Sequence, residues 1–361
     1  MKALIFTITL LGTLSSVPVI AQQAVPFAGD RVVTVMTQNV YNGVDDKLEA
    51  VATATSFPDL LAKVAAVYQA YFTRNFSERA AALAAEIEAK RPDLIGLQEA
   101  VLVRTQSPPD GPATPATTVA LDYVQILLNA LAARGLRYEV VVQSPNFDAE
   151  LPSALGFDVR HTDREVILAR ADLKTSDLKL SNAQGGNFVT NCTIPSPIVG
   201  PITFRRGWVA VDVKIRGKSF RLISTHLDRA CLPPDPFAIQ RAQAAEVLRG
   251  PAATGLPVVL VGDFNSPSDG TGLTYNNLIA AGFADAALAE GVGGIPTCCQ
   301  AADLLNPASS LTSRIDFVLF RGAFTVLGAD VVGDNPADRT PSGLWPSDHG
   351  GVAATLELPH P

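Results

Sequence analysis

The sequence predicts an α/β protein whose strands form mixed β-sheets. Several short apolar runs lack polar alternation, as strands buried on both faces do, and the clearest is residues 256–261. Segments with apolar residues at a helical period separate these runs. Neither an internal repeat nor a domain linker is visible, so we predict one domain over residues 22–361.

Strand and helix signals alternate in the first half of the chain. We predict strands at residues 31–38, 93–99, 138–142 and 163–170, and helices at residues 57–72, 77–90 and 119–134. The helix at residues 77–90 should begin at Ser77, a residue type that caps helix N-termini. Residues 105–118 are rich in Pro, Thr and Ser, which predicts a surface loop.

The second half of the chain is richer in strands. We predict strands at residues 208–215, 220–225, 256–261, 313–320 and 352–358, and helices at residues 236–249 and 273–280. Residues 181–202 are rich in Gly, Asn and Pro, which predicts a long irregular loop.

The charge balance bears on the class of partner. The 361 residues are 47% hydrophobic, which is enough for a sizeable core, and their formal net charge is −7. A negative chain does not bind nucleic acid tightly by charge alone. An enzyme that acts on phosphodiesters is still compatible with this charge, because divalent cations would offset it locally.

The first residues have the pattern of a secretory signal peptide. Lys2 provides a positive charge, residues 3–14 are apolar, and small side chains precede a cleavage site after Ala21. We therefore predict a signal peptide over residues 1–21 and a secreted or periplasmic protein, with an uncleaved anchor as the alternative. No later apolar run resembles a transmembrane segment.

Export makes disulfide bonds compatible with the four cysteines. Three pairings are open. We favour Cys192 with Cys231, because they flank a predicted hairpin; Cys298 and Cys299 would then form a vicinal bridge, and a crossed arrangement is the rival. The spacing of the four cysteines does not indicate a metal site.

Polar side chains gather at the ends of the predicted strands. They are Asn39, Glu99, His226, Asp263, Asn265, Asp316, Asp348 and His349. Acids and amides are the ligands that Mg²⁺ takes, together with water and substrate phosphate. A histidine beside a carboxylate can be oriented and charged by it. This set is suited to the attack of water on a phosphoryl group.

Six short motifs resemble those of the endonuclease/exonuclease/phosphatase superfamily of deoxyribonuclease I-like proteins. They are Thr37-Gln38-Asn39, Leu97-Gln98-Glu99, Ser224-Thr225-His226, Gly262-Asp263-Phe264-Asn265, Arg314-Ile315-Asp316 and Ser347-Asp348-His349. They occur in the family's order. The resemblance implies a four-layered α/β/β/α sandwich of two packed mixed β-sheets, with the site at one end of the sheets.

The resemblance also implies the metal ligands. Glu99 would be the principal ligand, with Asn39 and Asp348 near the same ion. The implied cofactor is Mg²⁺, with Mn²⁺ or Ca²⁺ as alternatives, and one or two ions are both open.

Catalytic roles follow from the same resemblance. Asp263 would position the attacking water, and Asn265 would hydrogen-bond the phosphate. His349 would contact the phosphate and be oriented by Asp316. His226 would be the second histidine of the phosphodiesterase branches.

Further residues also have assignments. The acid that orients His226 would be Asp163 or Glu165, which share one face of a strand. Arg206 resembles a phosphate-contacting arginine, and a plain surface arginine is the equal alternative. His161 and His360 are expected at the surface.

Two departures from the family pattern leave the substrate open. An extra segment occupies residues 44–74, and the loop at residues 181–202 is long. The leading interpretation is a secreted, Mg²⁺-dependent phosphodiesterase, with extracellular DNA as the first-choice substrate. We expect it to be a monomer with no obligate protein partner. A sphingomyelinase-like lipid phosphodiesterase, a phosphomonoesterase, and a toxin or binding subunit without turnover are the alternatives.

Overall fold

Two β-sheets packed face to face form the centre of the structure. The computed structural model describes residues 31–359. The predicted signal peptide, its cleavage site and His360 therefore lie outside the described residues. None of the described helices combines the length and the apolar character that crossing a membrane requires.

Sixteen strands are present in the described part of the chain. They are β1 (Val32–Asn39), β2 (Leu94–Gln98), β3 (Leu102–Gln106), β4 (Thr118–Asp122), β5 (Tyr138–Pro152), β6 (Asp158–Arg170), β7 (Leu178–Asn187), β8 (Cys192–Ile194), β9 (Ile202–Phe204), β10 (Gly207–Ile215), β11 (Lys218–His226), β12 (Val258–Asp263), β13 (Ala284–Asp285), β14 (Asp316–Arg321), β15 (Thr325–Val332) and β16 (Gly351–Glu357). Both large sheets contain parallel and antiparallel pairs.

The first sheet has the strand order β15-β16-β1-β2-β6-β3-β4, and β5 pairs with β6 beside this path. In its centre β1 runs parallel to β2 and antiparallel to β16. The parallel pair brings the C-terminal ends of β1 and β2 to one edge, so that Asn39 lies opposite Gln98, next to Glu99.

The second sheet has the order β13-β14-β12-β11-β10-β7. The parallel pair of β11 and β12 places His226 opposite Asp263, and the antiparallel pair of β12 and β14 places Asp263 opposite Asp316. Three of the predicted site residues are thus neighbours across three strands. Strands β8 and β9 form a separate two-stranded sheet.

Helices cover the outer faces of both sheets. They are α1 (Asp45–Ala52), α2 (Phe57–Thr73), α3 (Phe76–Lys90), α4 (Tyr123–Ala133), α5 (Ala238–Arg249), α6 (Leu273–Ala280) and the single turn α7 (Ala286–Ala289). Helices α1–α4 share an apolar core with the first sheet, and α5 and α6 share one with the second. A further core lies between the sheets and contains, for example, Val35, Val211 and Val261. The predicted four-layered α/β/β/α sandwich is confirmed.

The two sheets approach each other closely below the site. A Cβ atom on Gly96 would lie 2.6 Å from the Ser224 hydroxyl oxygen, a distance that real contacts do not reach. Beside it, the Gln98 side chain donates a 3.0 Å hydrogen bond to the same hydroxyl group. Glycine at position 96 therefore lets the strand that leads to Glu99 sit against the strand that leads to His226.

Several predicted elements were wrong or incomplete. The predicted loop at residues 105–118 includes the end of β3 and the start of β4, and the predicted loop at residues 181–202 contains much of β7 and all of β8. Helix α3 begins at Phe76, and its N-cap is Asn75, two residues before the predicted cap Ser77. The two predicted loops carry Gly, Pro and polar residues, and their strands form by pairing with partners distant in sequence.

The prediction that His161 is a surface residue was also wrong. His161 lies on β6 and is only 5% exposed. Its Nδ1 atom hydrogen-bonds the hydroxyl group of Tyr71 from helix α2. Helix α2 belongs to the extra segment that the family pattern did not anticipate, and this helix covers the histidine.

Candidate active site

The candidate site lies where the ends of five strands meet. Asn39 ends β1, Glu99 follows β2, and His226 and Asp263 end β11 and β12. Asp316 begins the antiparallel β14, so its side chain meets the same edge. Asp348 and His349 precede β16 on the loop beside β1. The structure thus brings together all eight strand-end residues that the sequence singled out.

Asn39 connects the two sheets at this edge. Its amide nitrogen donates to Glu99 Oε1 at 3.1 Å and to Asp263 Oδ2 at 3.2 Å, and its Oδ1 accepts from the backbone NH of Tyr41 at 2.9 Å. The other oxygen of Glu99 accepts from the backbone NH of Asn42 at 2.8 Å. Asn39 therefore holds the carboxylates of Glu99 and Asp263 at a fixed separation.

A buried arginine fixes the two loops that carry these groups. Arg79, on helix α3, is fully buried and donates to the backbone oxygens of Val40 at 2.8 Å, Tyr41 at 2.9 Å and Pro346 at 3.0 Å. Ser347 donates from its hydroxyl to the Asn39 backbone oxygen at 2.7 Å. The loop after β1 and the loop before β16 are consequently tied to each other.

His349 and Asp316 form the pair that the resemblance implied. The Nδ1 atom of His349 lies 2.8 Å from Asp316 Oδ2, and its Nε2 lies 3.8 Å from Asp263 Oδ2. All three side chains are buried. Asp263, Asp316 and His349 form a group whose potential ligand atoms lie within 4.8 Å of one another. With Nδ1 engaged by Asp316, Nε2 is the nitrogen that faces the site.

Asp263 also contacts the second histidine. Its Oδ2 atom lies 3.3 Å from His226 Nε2. Asn265 adopts a positive φ of 48° just beyond the strand and donates from its amide to the backbone oxygen of Leu227 at 2.9 Å. This conformation places the Asn265 amide nitrogen 3.1 Å from His226 Nε2. Asp263 is therefore flanked by two imidazole rings.

Burial and mutual repulsion shift the charges of this group. Burial, together with the neighbouring Asp316, raises the pKa of Asp263 to about 7. Burial alone would lower the pKa of His349, but Asp316, Asp348 and Asp263 outweigh it and raise that pKa well above the usual value. Burial lowers the pKa of His226 far below its usual value, helped by the charge of Arg206. At neutral pH His349 is the charged imidazolium and His226 is neutral.

A second acidic group surrounds Glu99. Burial raises the pKa of Glu99 well above its usual value, and the nearby carboxylates of Asp45 and Asp348 raise it further. Burial and Asp45 likewise contribute to an Asp348 pKa of about 6. A cluster of carboxylates that repel one another in a buried position fits a divalent cation, whose charge would offset the repulsion. Glu99 and Asp348 would hold the ion, near Asn39.

Arg206 occupies the position where an orienting acid for His226 was expected. Its Nη1 atom lies 2.9 Å from His226 Nδ1 and 3.5 Å from Asp163 Oδ2, and its Nε lies 3.7 Å from Asp228 Oδ1. Because a guanidinium group only donates, His226 Nδ1 accepts this bond. The proton of the neutral ring then resides on Nε2, 3.3 Å from Asp263 Oδ2, and the Asn265 amide nitrogen beside it does not donate to that atom.

The two candidate acids for His226 lie elsewhere. Asp163 reaches the histidine only through Arg206. Glu165 faces the space between the sheets, where Ser224 donates to it at 3.3 Å and Asn146 at 3.4 Å. The sequence did not indicate this arrangement because Arg206 lies outside any strand and twenty residues before the histidine it contacts.

The favoured disulfide pairing agrees with the structure. Cys192 is bonded to Cys231 across a Cα–Cα distance of 5.9 Å, so the crossed pairing is wrong, and Cys298 and Cys299 are the two cysteines that remain to form a vicinal pair. The Sγ atom of Cys299 lies 3.9 Å from His349 Nε2. The vicinal pair therefore borders His349, one of the candidate catalytic residues.

Two acids near the site were missed from the sequence. Asp45 begins helix α1 and accepts a 2.7 Å hydrogen bond from the Asn42 side chain. Asp228 is buried two residues beyond His226, where Gln243 donates to it at 2.7 Å. The sequence offered a signal for Asp228, since it directly follows the strand-end motif Ser224-Thr225-His226 and Leu227.

Comparisons with known proteins agree with this geometry. The sequence model of the Endonuclease/Exonuclease/phosphatase family matches residues 36–349. No curated protein matches the chain at a significant level. Among solved structures, the chain is similar to an endonuclease/exonuclease/phosphatase family protein from Leptotrichia buccalis, with 16% identity, a TM-score of 0.54, and coverage of 90% of this chain and 100% of that chain.

Two further solved structures carry names that refer to phosphoryl substrates or products. One is the mannosyl-6-phosphatase of Bacteroides thetaiotaomicron, with 16% identity, a TM-score of 0.53, and coverage of 90% of this chain and 100% of that chain. The other is TDP2 of D. rerio in complex with a single-strand DNA product, with 17% identity, a TM-score of 0.52, and coverage of 91% and 100%. Similarity at these identities shows a shared fold.

Proposed function

Because the chain belongs to the endonuclease/exonuclease/phosphatase family, whose members are phosphoric ester hydrolases, we propose that it hydrolyses phosphodiester bonds with the help of a divalent cation. The observation that carries the proposal is the pair of buried histidines on either side of one carboxylate. Asp263 Oδ2 lies 3.3 Å from His226 Nε2 and 3.8 Å from His349 Nε2. A phosphodiester that reacts here would have hydrogen-bond donors on two sides, from His226 and from His349.

Each of these residues has a role that its charge supports. With a pKa of about 7, Asp263 can accept a proton near neutral pH and is suited to take it from the attacking water. His349 carries a positive charge held by Asp316, which stabilises negative charge as it develops on the phosphoryl oxygens. His226, with its proton on Nε2, can donate a hydrogen bond to a phosphoryl oxygen.

The divalent cation would be held by Glu99 and Asp348. When bound, it would supply further stabilisation of the negative charge on the phosphoryl group. Mg²⁺ is the first ion to test, since the donors are oxygen atoms. Asn39 would keep Glu99 in place, because its amide nitrogen already donates to that carboxylate at 3.1 Å.

Extracellular DNA is the first substrate to test. Support comes from His226, and from the similar fold of TDP2 in complex with its single-strand DNA product. The similar fold of a mannosyl-6-phosphatase makes a sugar phosphate the necessary comparison. We also propose export of the protein after cleavage behind Ala21, on the strength of the signal-like residues 1–21.

A side-by-side assay tests the proposal. Purified protein is incubated with plasmid DNA, with the simple phosphodiester p-nitrophenyl methyl phosphate, with sphingomyelin and with mannose 6-phosphate, each with Mg²⁺ and with excess chelator. We expect Mg²⁺-dependent hydrolysis of at least one phosphodiester and little release of phosphate from the monoester. Hydrolysis of the monoester alone would replace the proposal with a phosphomonoesterase, and hydrolysis of none would overturn it.

A further inference from the structure

Two neighbouring cavities lie beside the candidate catalytic groups. The outer cavity has a volume of about 320 Å³, and its wall includes Asn42 and Arg206, which contact Glu99 and His226 respectively. The inner cavity has a volume of about 120 Å³ and shares Leu48, Phe147, His161 and Phe204 with the outer one. The outer cavity therefore adjoins both the site and the inner cavity.

The inner cavity is almost entirely apolar. Its lining consists of Val, Leu, Ile, Ala and Phe side chains, and His161 is the one polar residue among them. Burial lowers the pKa of His161, so the ring is neutral at physiological pH. A cavity of this kind favours an uncharged, apolar occupant, because a charged group would lose its hydration without gaining a partner.

The size of the inner cavity limits the occupant. A dry apolar cavity of about 150 Å³ lined by Leu, Ile and Phe holds one benzene molecule. The 120 Å³ of the inner cavity suits one aromatic ring or a short alkyl chain. Phe147 and Phe204 lie with their ring centroids 4.9 Å apart and offer an aromatic wall at the entrance.

Six of the twelve residues that line the inner cavity belong to the two segments that depart from the family pattern, and the other six lie on β5, β6 and β9. Helices α1 and α2, within residues 44–74, supply Leu48 and Val64, and the region of β9 supplies Val199. These walls are held in place by contacts that span the segments. Arg229 pairs with Glu49 of α1, and the Cys192–Cys231 disulfide fastens the loop opposite.

We propose that the inner cavity is a specificity subsite for an apolar ester group, so that small phosphodiesters with one aromatic or short alkyl ester are substrates in addition to the DNA named above. The inference rests on the proposed function. It goes further because it names a second substrate class, and half of the residues that would select it lie in the segments that distinguish this chain. The ester group enters along the outer cavity while the phosphoryl group stays beside His226 and His349.

Phosphonates test the subsite without any need for turnover. Methylphosphonate, benzylphosphonate and 3-phenylpropylphosphonate contain a C–P bond that the proposed reaction does not cleave. Calorimetry with the full protein and Mg²⁺ should show at least one phenyl ligand binding roughly 10²-fold more tightly than methylphosphonate, since apolar pockets discriminate on this scale.

Ala149→Leu fills the inner cavity from strand β5, where Ala149 is half-buried in its lining. This change should remove most of the preference for the phenyl ligand and raise KM for p-nitrophenyl methyl phosphate. The matched control is Ala284→Leu on strand β13, which is exposed and lines neither cavity. The control should behave as wild type. If Ala149→Leu fails to fold, Phe147→Ala removes the aromatic wall and should also lower the preference.

The outcomes separate the two claims. Equal or undetectable affinities for all three phosphonates would overturn the subsite, and so would an unchanged preference in folded Ala149→Leu. Absence of hydrolysis of p-nitrophenyl methyl phosphate, of DNA and of sphingomyelin would instead overturn the proposed function. A phenyl preference lost in Ala149→Leu would then still establish the subsite.

Discussion

At the scale of single residues, the site depends on which groups hold the two histidines. Asp316 accepts from His349 Nδ1 at 2.8 Å, whereas His226 Nδ1 faces the guanidinium of Arg206 at 2.9 Å. One histidine is thus charged by a carboxylate, and the other is kept neutral by burial and by the neighbouring cation. The two histidines can therefore have different roles: His349 provides a positive charge, and His226 is a neutral hydrogen-bond donor.

The first prediction concerns the His349–Asp316 pair. His349→Ala should lower kcat by on the order of 10²-fold or more and raise KM far less, because the charge it meets develops in the transition state. Asp316→Asn should give a similar loss, since the ring would lose its orientation and its charge. The double variant should be little worse than either single one. Steady-state kinetics of the four proteins decides this, and independent, multiplying effects would contradict the pair as a unit.

The second prediction tests whether Arg206 or Asp163 orients His226. Arg206→Lys should lower kcat by roughly 10-fold or more, because an ammonium group cannot contact His226, Asp163 and Asp228 at once in the geometry of the guanidinium. Asp163→Asn should cost less, since its carboxylate lies 3.5 Å from Arg206 and has no direct contact with the histidine. A larger loss for Asp163→Asn than for Arg206→Lys would restore the acid as the orienting group.

The third prediction concerns a buried acid away from the site. Both oxygens of Glu86, on helix α3, lack a hydrogen-bond partner among the described residues, and burial raises its pKa from 4.5 to about 8. The folded protein keeps this proton up to about pH 8, whereas the unfolded chain releases it near pH 4.5. Unfolding therefore releases a proton between these values, and stability decreases as pH rises through them.

The Glu86→Gln variant has no titratable group at this position. Its stability therefore lacks the decrease with rising pH that Glu86 causes. Between pH 4.5 and pH 8, the Tm of Glu86→Gln should rise by a few °C relative to the Tm of wild type. Thermal unfolding of both proteins across this range provides the measurement. A constant difference in Tm at every pH would show that Glu86 is ionised in the folded protein.

At the scale of elements, long-range pairing decides what the local sequence leaves open. The buried strands β2 and β12 were predicted because short apolar runs identify them, and β11 was predicted as the strand that returns after the turn at Gly217 and Lys218. Strand β7 was missed because its residues are mostly Gly, Asn and other polar types, and it forms through pairing with β10. The register of β12 with β11 and β14 brings His226, Asp263 and Asp316 together, and no local pattern encodes that register.

The fourth prediction concerns the disulfide that fastens the loop beside the outer cavity. Cys192 and Cys231 are separated by 39 residues, so their bond lowers the entropy of the unfolded chain and raises its free energy by about 4 kcal/mol. Replacing both by Ser should lower the free energy of unfolding by several kcal/mol and raise KM, because both cysteines line that cavity. Replacing Cys298 and Cys299 by Ser is the control, since bonding adjacent residues closes almost no loop.

Equal losses of stability in the two double variants, measured by denaturant unfolding, would show that loop closure is not what the Cys192–Cys231 bond contributes. An unchanged KM in the Cys192→Ser/Cys231→Ser protein would separate the loop from substrate binding. Activity of the control is a separate matter, because Cys299 lies 3.9 Å from His349 Nε2.

At the scale of the whole molecule, the sequence identified the layers and most of the site. The four layers were predicted from the resemblance to the family. The gathering of Asn39, Glu99 and the other strand-end residues was predicted because polar residues after apolar runs mark the strand ends. The role of Arg206 and the burial of His161 were not, since both depend on what packs above them. The cavities were not predicted either, because part of their lining comes from segments whose fold the family pattern does not imply.

The central claim is that a divalent cation held near Glu99 is required for phosphodiester hydrolysis at this site. Its most direct test is the initial rate of hydrolysis of p-nitrophenyl methyl phosphate by metal-free protein, in excess chelator and after addition of Mg²⁺, for wild type and Glu99→Gln. We predict no turnover in chelator, recovery with Mg²⁺ for wild type, and little recovery for a folded Glu99→Gln at the same Mg²⁺ concentration. Full turnover in chelator, or equal recovery of both proteins, would contradict the claim.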